Sequence, residues 1–221
     1  MVRTILWRRE PEAVPIDLGE IDAGVRAMFA HVPERLEAAS AAFLAGDRDA
    51  ARGLVETDPT IDALQNDIEA MVQTALLRQP LASAQLRYLV TVLRIVPELE
   101  RSADLVEHIA LRTQLALVDR LSTASRDLIG QMSTLAVGMW WHAASAFRDR
   151  RASAVESLRA QDDQLDDLHV QLTAELAAER LDSSVAIELG LVARFFERLG
   201  DHAVNVTARL AYIGVEEPAA S

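Results

Sequence analysis

The feature that most restricts the fold of this chain is a pattern of acidic and apolar residues that occurs twice. The segment 100–104 reads Glu-Arg-Ser-Ala-Asp, and Glu-Arg-Leu-Gly-Asp follows at 197–201, 97 positions later. Another acidic pair, at the ends of 58–62, reappears at the ends of 162–166, 104 positions later. The two offsets differ by seven residues, close to two helical turns, so each helix face keeps its direction. The sequence therefore predicts a tandem repeat of roughly 100 residues.

The apolar residues within each repeat recur at steps of three and four, which is typical of helices that bury one face. In the last long segment this face comprises Val192, Phe196, Leu199, Ala203, Val206 and Leu210. No segment alternates with period two, and aromatic residues make up only 5% of the chain. Ala and Leu are prominent, which favours helix over sheet. We therefore predict an all-α fold, a tandem repeat of two three-helix bundles.

Breaks in the apolar pattern divide the chain into five parts. They are an N-terminal arm at 1–17, a first repeat at 18–117, a linker at 118–126, a second repeat at 127–214 and a tail at 215–221. Within the repeats the pattern predicts helices over about 18–45, 47–77, 81–117, 127–149, 152–179 and 184–213. Pro33 and Pro97 should kink their helices, and Pro59 should bend or split the second helix.

Composition excludes several classes of function. The formal charge is −12 with an isoelectric point near 4.8, and no basic stripe is present, so we expect no nucleic-acid surface. The chain has no cysteine, which removes disulfides, thiolate catalysis and zinc–sulfur sites. No apolar run is long enough to span a membrane, and the basic N-terminus lacks the apolar core of a secretion signal. We expect no membrane insertion and a cytoplasmic location.

The repeated acidic pairs are the strongest candidates for chemistry. Glu197 and Asp201 are one helical turn apart, so their carboxylates project from the same side of a helix, beside its apolar face. If the second and third helices of a repeat pack antiparallel, each repeat gathers four carboxylates. These sets are Asp58, Asp62, Glu100 and Asp104 in the first repeat, and Asp162, Asp166, Glu197 and Asp201 in the second. Such carboxylates either protonate or hold a hard cation such as Mg²⁺, Mn²⁺, Ca²⁺ or Fe³⁺.

A structural reading of these acids stays open beside the metal reading. A pair of acids four residues apart is also typical of a solvated helix face, and Arg101 or Arg198 could neutralise the carboxylates by ion pairing. His202 follows Asp201 and is placed on the polar arc of its helix, as a surface or packing residue rather than a ligand. Glycine at position 200 lowers the stability of its helix by about 1 kcal/mol relative to alanine. Its presence suggests that another group packs close to the backbone there.

The motifs, taken together, resemble the PhoU family. They are Glu197-Arg-Leu-Gly-Asp-His-Ala-Val-Asn-Val, Asp58-x-x-Ile-Asp-x-Leu, Gln79-Pro80 with Ala82, Leu86-Arg87 and Glu100-Arg-x-x-Asp104. The resemblance covers about residues 20–214, in the same order and in both repeats. The first acidic motif departs from the family pattern, because Ala103 stands where the family prefers glycine and Ser102 where it prefers an apolar residue.

The resemblance implies a fold, a cofactor and a role. Family members are tandem three-helix bundles whose acidic motifs bind metal clusters, often of iron, and sometimes other divalent ions. This implies that the eight acids named above are metal ligands. It also implies a negative regulator of the phosphate-starvation response, which connects the ATPase subunit of the phosphate ABC transporter to the sensor histidine kinase. The protein would act by contact rather than as an enzyme, and a homodimer stays open.

Two other functions compete with the regulatory one. The carboxylates could serve a metal-dependent phosphohydrolase, which would need an open coordination position and a cation to receive the substrate. Arg101 and Arg198 are the obvious cations for that purpose. The chain could also be a purely structural helical bundle without metal.

Overall fold

A computed structural model describes residues 18–56, 59–77 and 81–213 of the chain. It contains α1 (Gly19–Ala45), α2 (Arg48–Glu56), α3 (Pro59–Leu77), α4 (Ser83–Thr113), α5 (Thr123–Arg148), α6 (Ala154–Ala178) and α7 (Ser183–Leu210), with a short 3₁₀ helix at Leu117–Arg120. These ranges contain no strand, and the predicted all-α class is confirmed. The predicted arm at 1–17, the tail at 215–221 and Asp58 lie outside the described residues.

The predicted second helix is two helices, and Pro59 begins the second of them. Proline suits the first turn of a helix, where its missing N–H needs no partner. Upstream, α1 ends at Gly46, whose positive φ of 68° is the left-handed conformation that glycine adopts readily. The carboxylate of Asp47 then accepts a hydrogen bond from the backbone N–H of Ala50 at 3.0 Å, which caps α2.

The ends of two other predicted helices were wrong by several residues. Helix α5 begins at Thr123 rather than near 127, because the Ser122 hydroxyl accepts a hydrogen bond from the backbone N–H of Ser125 at 3.1 Å. Helix α4 ends at Thr113 rather than at 117 and is followed by the 3₁₀ turn. Pro33 and Pro97 lie inside α1 and α4, which continue past them, and the predicted kinks stay predictions.

The helices form two bundles that share one apolar core. Helices α1 to α4 form the first bundle, with α2 and α3 together in the place of one helix, and α5 to α7 form the second. The bundles join where α1 packs on α5 and α4 packs on α7. Phe29 of α1 stacks on Phe147 of α5 with ring centroids 4.9 Å apart, so the core is continuous across the join. The predicted tandem of three-helix bundles is confirmed.

This arrangement gives the molecule two distinct sides. One side is built around the α4/α7 seam, with α3 beside α4 and α6 beside α7. The other side is built around the α1/α5 seam. The repeated acidic pairs lie on α3, α4, α6 and α7, so both clusters border the first side. Among the described residues, none of the helices combines the length and the hydropathy that a membrane-spanning segment needs.

Candidate metal centre

The second repeat brings its four predicted carboxylates into one cluster, between α6 and α7. Burial raises the pKa of Asp162, whose side chain sits between the two helices, to about 6. After burial, the charges of Asp201, Asp166 and Glu197 raise that pKa further, in this order. Each of these acids disfavours the charge on Asp162 because nearby like charges repel. The other three acids therefore lie near enough to act on Asp162, and their role as metal ligands stays a prediction.

Gly200 allows Asp162 to approach the backbone of α7. A Cβ atom at position 200 would lie 2.5 Å from Oδ1 of Asp162 and 2.7 Å from Cδ2 of Leu165. Both distances are too short for ordinary contact, so a side chain there would push these groups away. The prediction that another group packs close to Gly200 is confirmed, and that group is a carboxylate. The equivalent residue of the first repeat is Ala103, so the two clusters differ at this point.

Two buried carboxylate oxygens of the second cluster accept no hydrogen bond within the described residues. They are Oδ1 of Asp162 and Oε2 of Glu197. The other oxygen of Glu197 accepts a hydrogen bond from Arg194 on the same helix. Burial raises the pKa of Glu197 first, and Arg194 acts against that rise. A buried anionic oxygen without a partner is unfavourable, so this cluster has a deficit of positive charge.

The first repeat forms a related cluster between α3 and α4. Burial raises the pKa of Glu100, and the neighbouring charges of Asp104 and Asp62 raise it further, whereas Arg101 lowers it. Asp58, which matches Asp162 in the repeat, lies outside the described residues. Asp62 and Asp104 therefore lie close enough to Glu100 to act on its charge.

The donor chemistry of both clusters suits a hard cation, because carboxylate oxygens are the donors that such ions prefer. A bound cation would stabilise most the oxygens of Asp162 and Glu197 that accept no hydrogen bond. Within the described residues, however, no three acidic or imidazole groups already stand close enough together to hold a metal ion. A cation would therefore have to draw these side chains together on binding.

The arginine pairing that competes with metal binding differs from the prediction. Arg101 pairs with Glu98 at 3.6 Å, and its charge also acts on Glu100 of the cluster. Arg198 makes no ion pair within the described residues, and the partner of Glu197 is instead Arg194, one turn earlier. Residues three apart on a helix are neighbours. Arg194 precedes the motif Glu-Arg-Leu-Gly-Asp, so the motif alone does not show its ion pair with Glu197.

His202 is not on a polar arc, so that part of the prediction is wrong, whereas its role as a packing residue is confirmed. Its ring is buried at the α4/α7 seam, with Nδ1 3.0 Å from the Ser102 hydroxyl and Nε2 3.7 Å from a carboxylate oxygen of Glu98. Arg209 also pairs with Glu98 at 3.2 Å. Burial lowers the pKa of His202. This polar network joins the two bundles at the α4/α7 seam. The sequence signal for it was Ser102, a polar residue where the family pattern has an apolar one.

Comparisons with known proteins agree with this architecture. The family model described as "PhoU domain" matches residues 25–113 and again residues 129–210. A curated relative from Deinococcus radiodurans, named a phosphate-specific transport system accessory protein PhoU homolog, is 28% identical over 91% of this chain and 96% of its own length. The PhoU homolog 1 of Mycobacterium tuberculosis is 28% identical over 80% of this chain and 82% of its own.

A solved structure shows the same fold. The crystal structure of PhoU from Pseudomonas aeruginosa superposes with a TM-score of 0.82, covering 89% of this chain and 96% of that one, at 22% sequence identity. The likeness extends over both bundles rather than one. Because the family model matches each repeat in turn and together the matches span most of the helical body, this chain belongs to the PhoU family.

Proposed function

We propose that this protein is a cytoplasmic regulatory accessory protein of phosphate transport. In this role it contacts the ATPase subunit of the phosphate transporter and the sensor histidine kinase, and it restrains the phosphate-starvation response when phosphate is plentiful. The observation that carries the proposal is the match of both repeats to the PhoU domain. The names of the curated relatives, which are phosphate-specific transport system accessory proteins, support it.

Without a bound cation, the electrostatics of the clusters favour contact with a basic partner over the binding of a phosphoester. The second cluster sets four carboxylates against Arg194, and that arginine is already bonded to Glu197. A phosphoester is an anion, so it would be repelled from this region. A cation or a basic surface of a partner protein would be attracted instead.

We further propose that each cluster holds a hard cation such as iron, manganese or magnesium. In the second repeat the ligands would come from Asp162, Asp166, Glu197 and Asp201, and in the first from Asp58, Asp62, Glu100 and Asp104. The cation would supply positive charge to oxygens that otherwise repel one another. Since these ligands come from two helices, binding would also fix α6 against α7 and α3 against α4.

A reporter assay combined with a binding assay tests the proposed regulatory role. We expect deletion of the gene to activate a phosphate-starvation reporter in cells grown at high phosphate, and the wild-type gene to restore repression. We also expect the purified chain to bind the purified transporter ATPase subunit and the cytoplasmic portion of the sensor kinase. An unchanged reporter together with no binding to either protein would rule the proposal out.

A further inference from the structure

A long groove whose lining contains none of the clustered acids is not yet used by the proposed role. It has a volume of about 1040 Å³ and lies between α1, α5 and α6. On α5 its lining extends from Arg126 to Gly138, about 18 Å at the usual rise of 1.5 Å per residue. Leu44, Leu135 and Leu168 contribute apolar surface from three different helices. These dimensions match about three turns of a helix lying along α5.

Two glycines on the groove-lining face of α5 have no close packing partner inside the protein. A Cβ atom at Gly138 would meet nothing within 4 Å, and one at Gly130 would meet only Leu44, at 3.9 Å. Glycine in the middle of a helix costs about 1 kcal/mol relative to alanine, and here no internal contact explains that cost. With Thr134 between them, these residues form a row of small side chains at steps of four. Such a row lets another backbone come close.

A polar side chain also lines this groove. Ser133 is 8% exposed, and its hydroxyl makes no hydrogen bond to another described residue. Because that oxygen stays accessible to solvent, water can satisfy it while the groove is empty. The neighbouring Thr134 differs in this respect, since it donates to the carbonyl of Gly130 at 2.9 Å. Ser133 therefore offers a hydrogen-bonding position to a molecule lying in the groove.

The charges of the groove indicate what kind of molecule this is. Glu37 and Asp127 are exposed acids in its lining, and Glu34 is exposed one turn before Glu37 on α1. Arg126, the basic residue of the lining, donates a hydrogen bond to the carbonyl of Val118. The chain as a whole carries a formal charge of −12. A basic partner is therefore attracted both by the rim and by the whole protein.

We propose that this groove is the docking site for a basic amphipathic helix of a partner protein. The inference rests on the proposed function, in which the chain acts by protein contact, and it assigns that contact to the α1/α5 side. The apolar face of the helix packs on the three leucines and approaches α5 at the glycines. Its basic residues lie beside Glu37 and Asp127.

The test is to fill the groove without disturbing the fold. Gly138→Leu places a side chain where the protein has open space, and leucine also favours helix. Gly190→Leu is the matched control, because a Cβ at Gly190 on α7 likewise meets nothing within 4 Å and Gly190 does not line the groove. The purified transporter ATPase subunit and the cytoplasmic portion of the sensor kinase serve as the two probes, each titrated against the full chain.

We expect Gly138→Leu to weaken the binding of one of the two probes at least tenfold, while Gly190→Leu binds as wild type. Both variants should melt at or above the wild-type temperature, which separates loss of binding from loss of fold. Reversing charge with Glu37→Lys and Asp127→Lys together should also weaken binding. The exposed acids Asp67 and Glu175, changed to lysine in the same way, provide the control for net charge. Amides of 126–138 should gain hydrogen-exchange protection in the complex.

Each other outcome has a defined meaning. If wild type binds a probe and Gly138→Leu binds it equally well, the groove inference is wrong while the proposed function stands. If wild type binds neither probe, the proposed function fails and the groove inference fails with it. If Gly138→Leu converts a dimer to a monomer in sedimentation and leaves the binding of both probes unchanged, the groove holds a second copy of this chain and the inference is overturned.

Discussion

Replacing Trp140 by alanine is expected to lower the free energy of unfolding by about 4 kcal/mol, the largest effect of a single substitution that we predict. Trp140 of α5 is fully buried, and its indole N–H donates a hydrogen bond to the carbonyl of Leu199 on α7 at 3.0 Å. The substitution would leave a large cavity between two helices of the second bundle. Leu199 precedes Gly200, so the loss should also loosen the backbone that supports the second acidic cluster.

Trp141 provides the control within the same dipeptide. Its side chain is 43% exposed, so Trp141→Ala should change the free energy of unfolding by about 1 kcal/mol or less. Urea unfolding followed by circular dichroism measures both variants. Equal losses for Trp140 and Trp141 would contradict the placement of α5 in the core.

Replacing Asp162 by asparagine is expected to stabilise the metal-free protein at pH 7.5. The pKa of Asp162 rises from 3.8 to about 6 on folding, so its charged form is disfavoured in the folded state. The stability that its neutral form provides is fully present below pH 3.8 and is lost as the pH rises through about 6. Asparagine keeps the neutral form at every pH. Because the side chain is partly exposed and solvent screens its charge, we expect a gain of about 1 kcal/mol rather than the full shift.

The pH dependence distinguishes this effect from a general change in packing. Near pH 3, where Asp162 is mostly neutral in both the folded and the unfolded state, asparagine should give little or no gain. Asp167→Asn is the control, since Asp167 is exposed on the same helix, and its effect should stay within about 0.5 kcal/mol at both pH values. Thermal unfolding in the presence of a chelator gives the measurement. A destabilised Asp162→Asn protein at pH 7.5 would show that repulsion in the cluster is negligible.

The repeat and the helical period were enough to predict the fold class and which acids share one face of a helix. Both follow from local rules, because residues one turn apart share a helix face and a duplicated pattern implies a duplicated bundle. The close packing at Gly200 could be predicted for a similar reason, since a glycine in the middle of a helix suggests a close neighbour. The sequence did not show that this neighbour is Asp162, because that contact joins two helices.

The join between the bundles could not be predicted from the same pattern. The apolar period shows that a helix has one buried face, but α4 and α7 each pack against three or more other helices. His202 lies on the additional buried face of α7, where a histidine can pair with Ser102 instead of water. The start of α5 at Thr123 was not predicted, because the serine cap that sets it depends on a single hydrogen bond.

The central claim is that each repeat collects carboxylates from two neighbouring helices into a site for a hard cation. Calorimetric titration of Mn²⁺ into the metal-free protein at pH 7.5 tests it most directly, with wild type compared to the Asp162→Asn/Glu197→Gln double variant and to Asp167→Asn. We predict saturable binding to wild type and to Asp167→Asn, and fewer sites in the double variant because the second cluster no longer binds. Absence of saturable binding by Mn²⁺, Mg²⁺ and Fe³⁺, or an undiminished number of sites in the double variant, would contradict the claim.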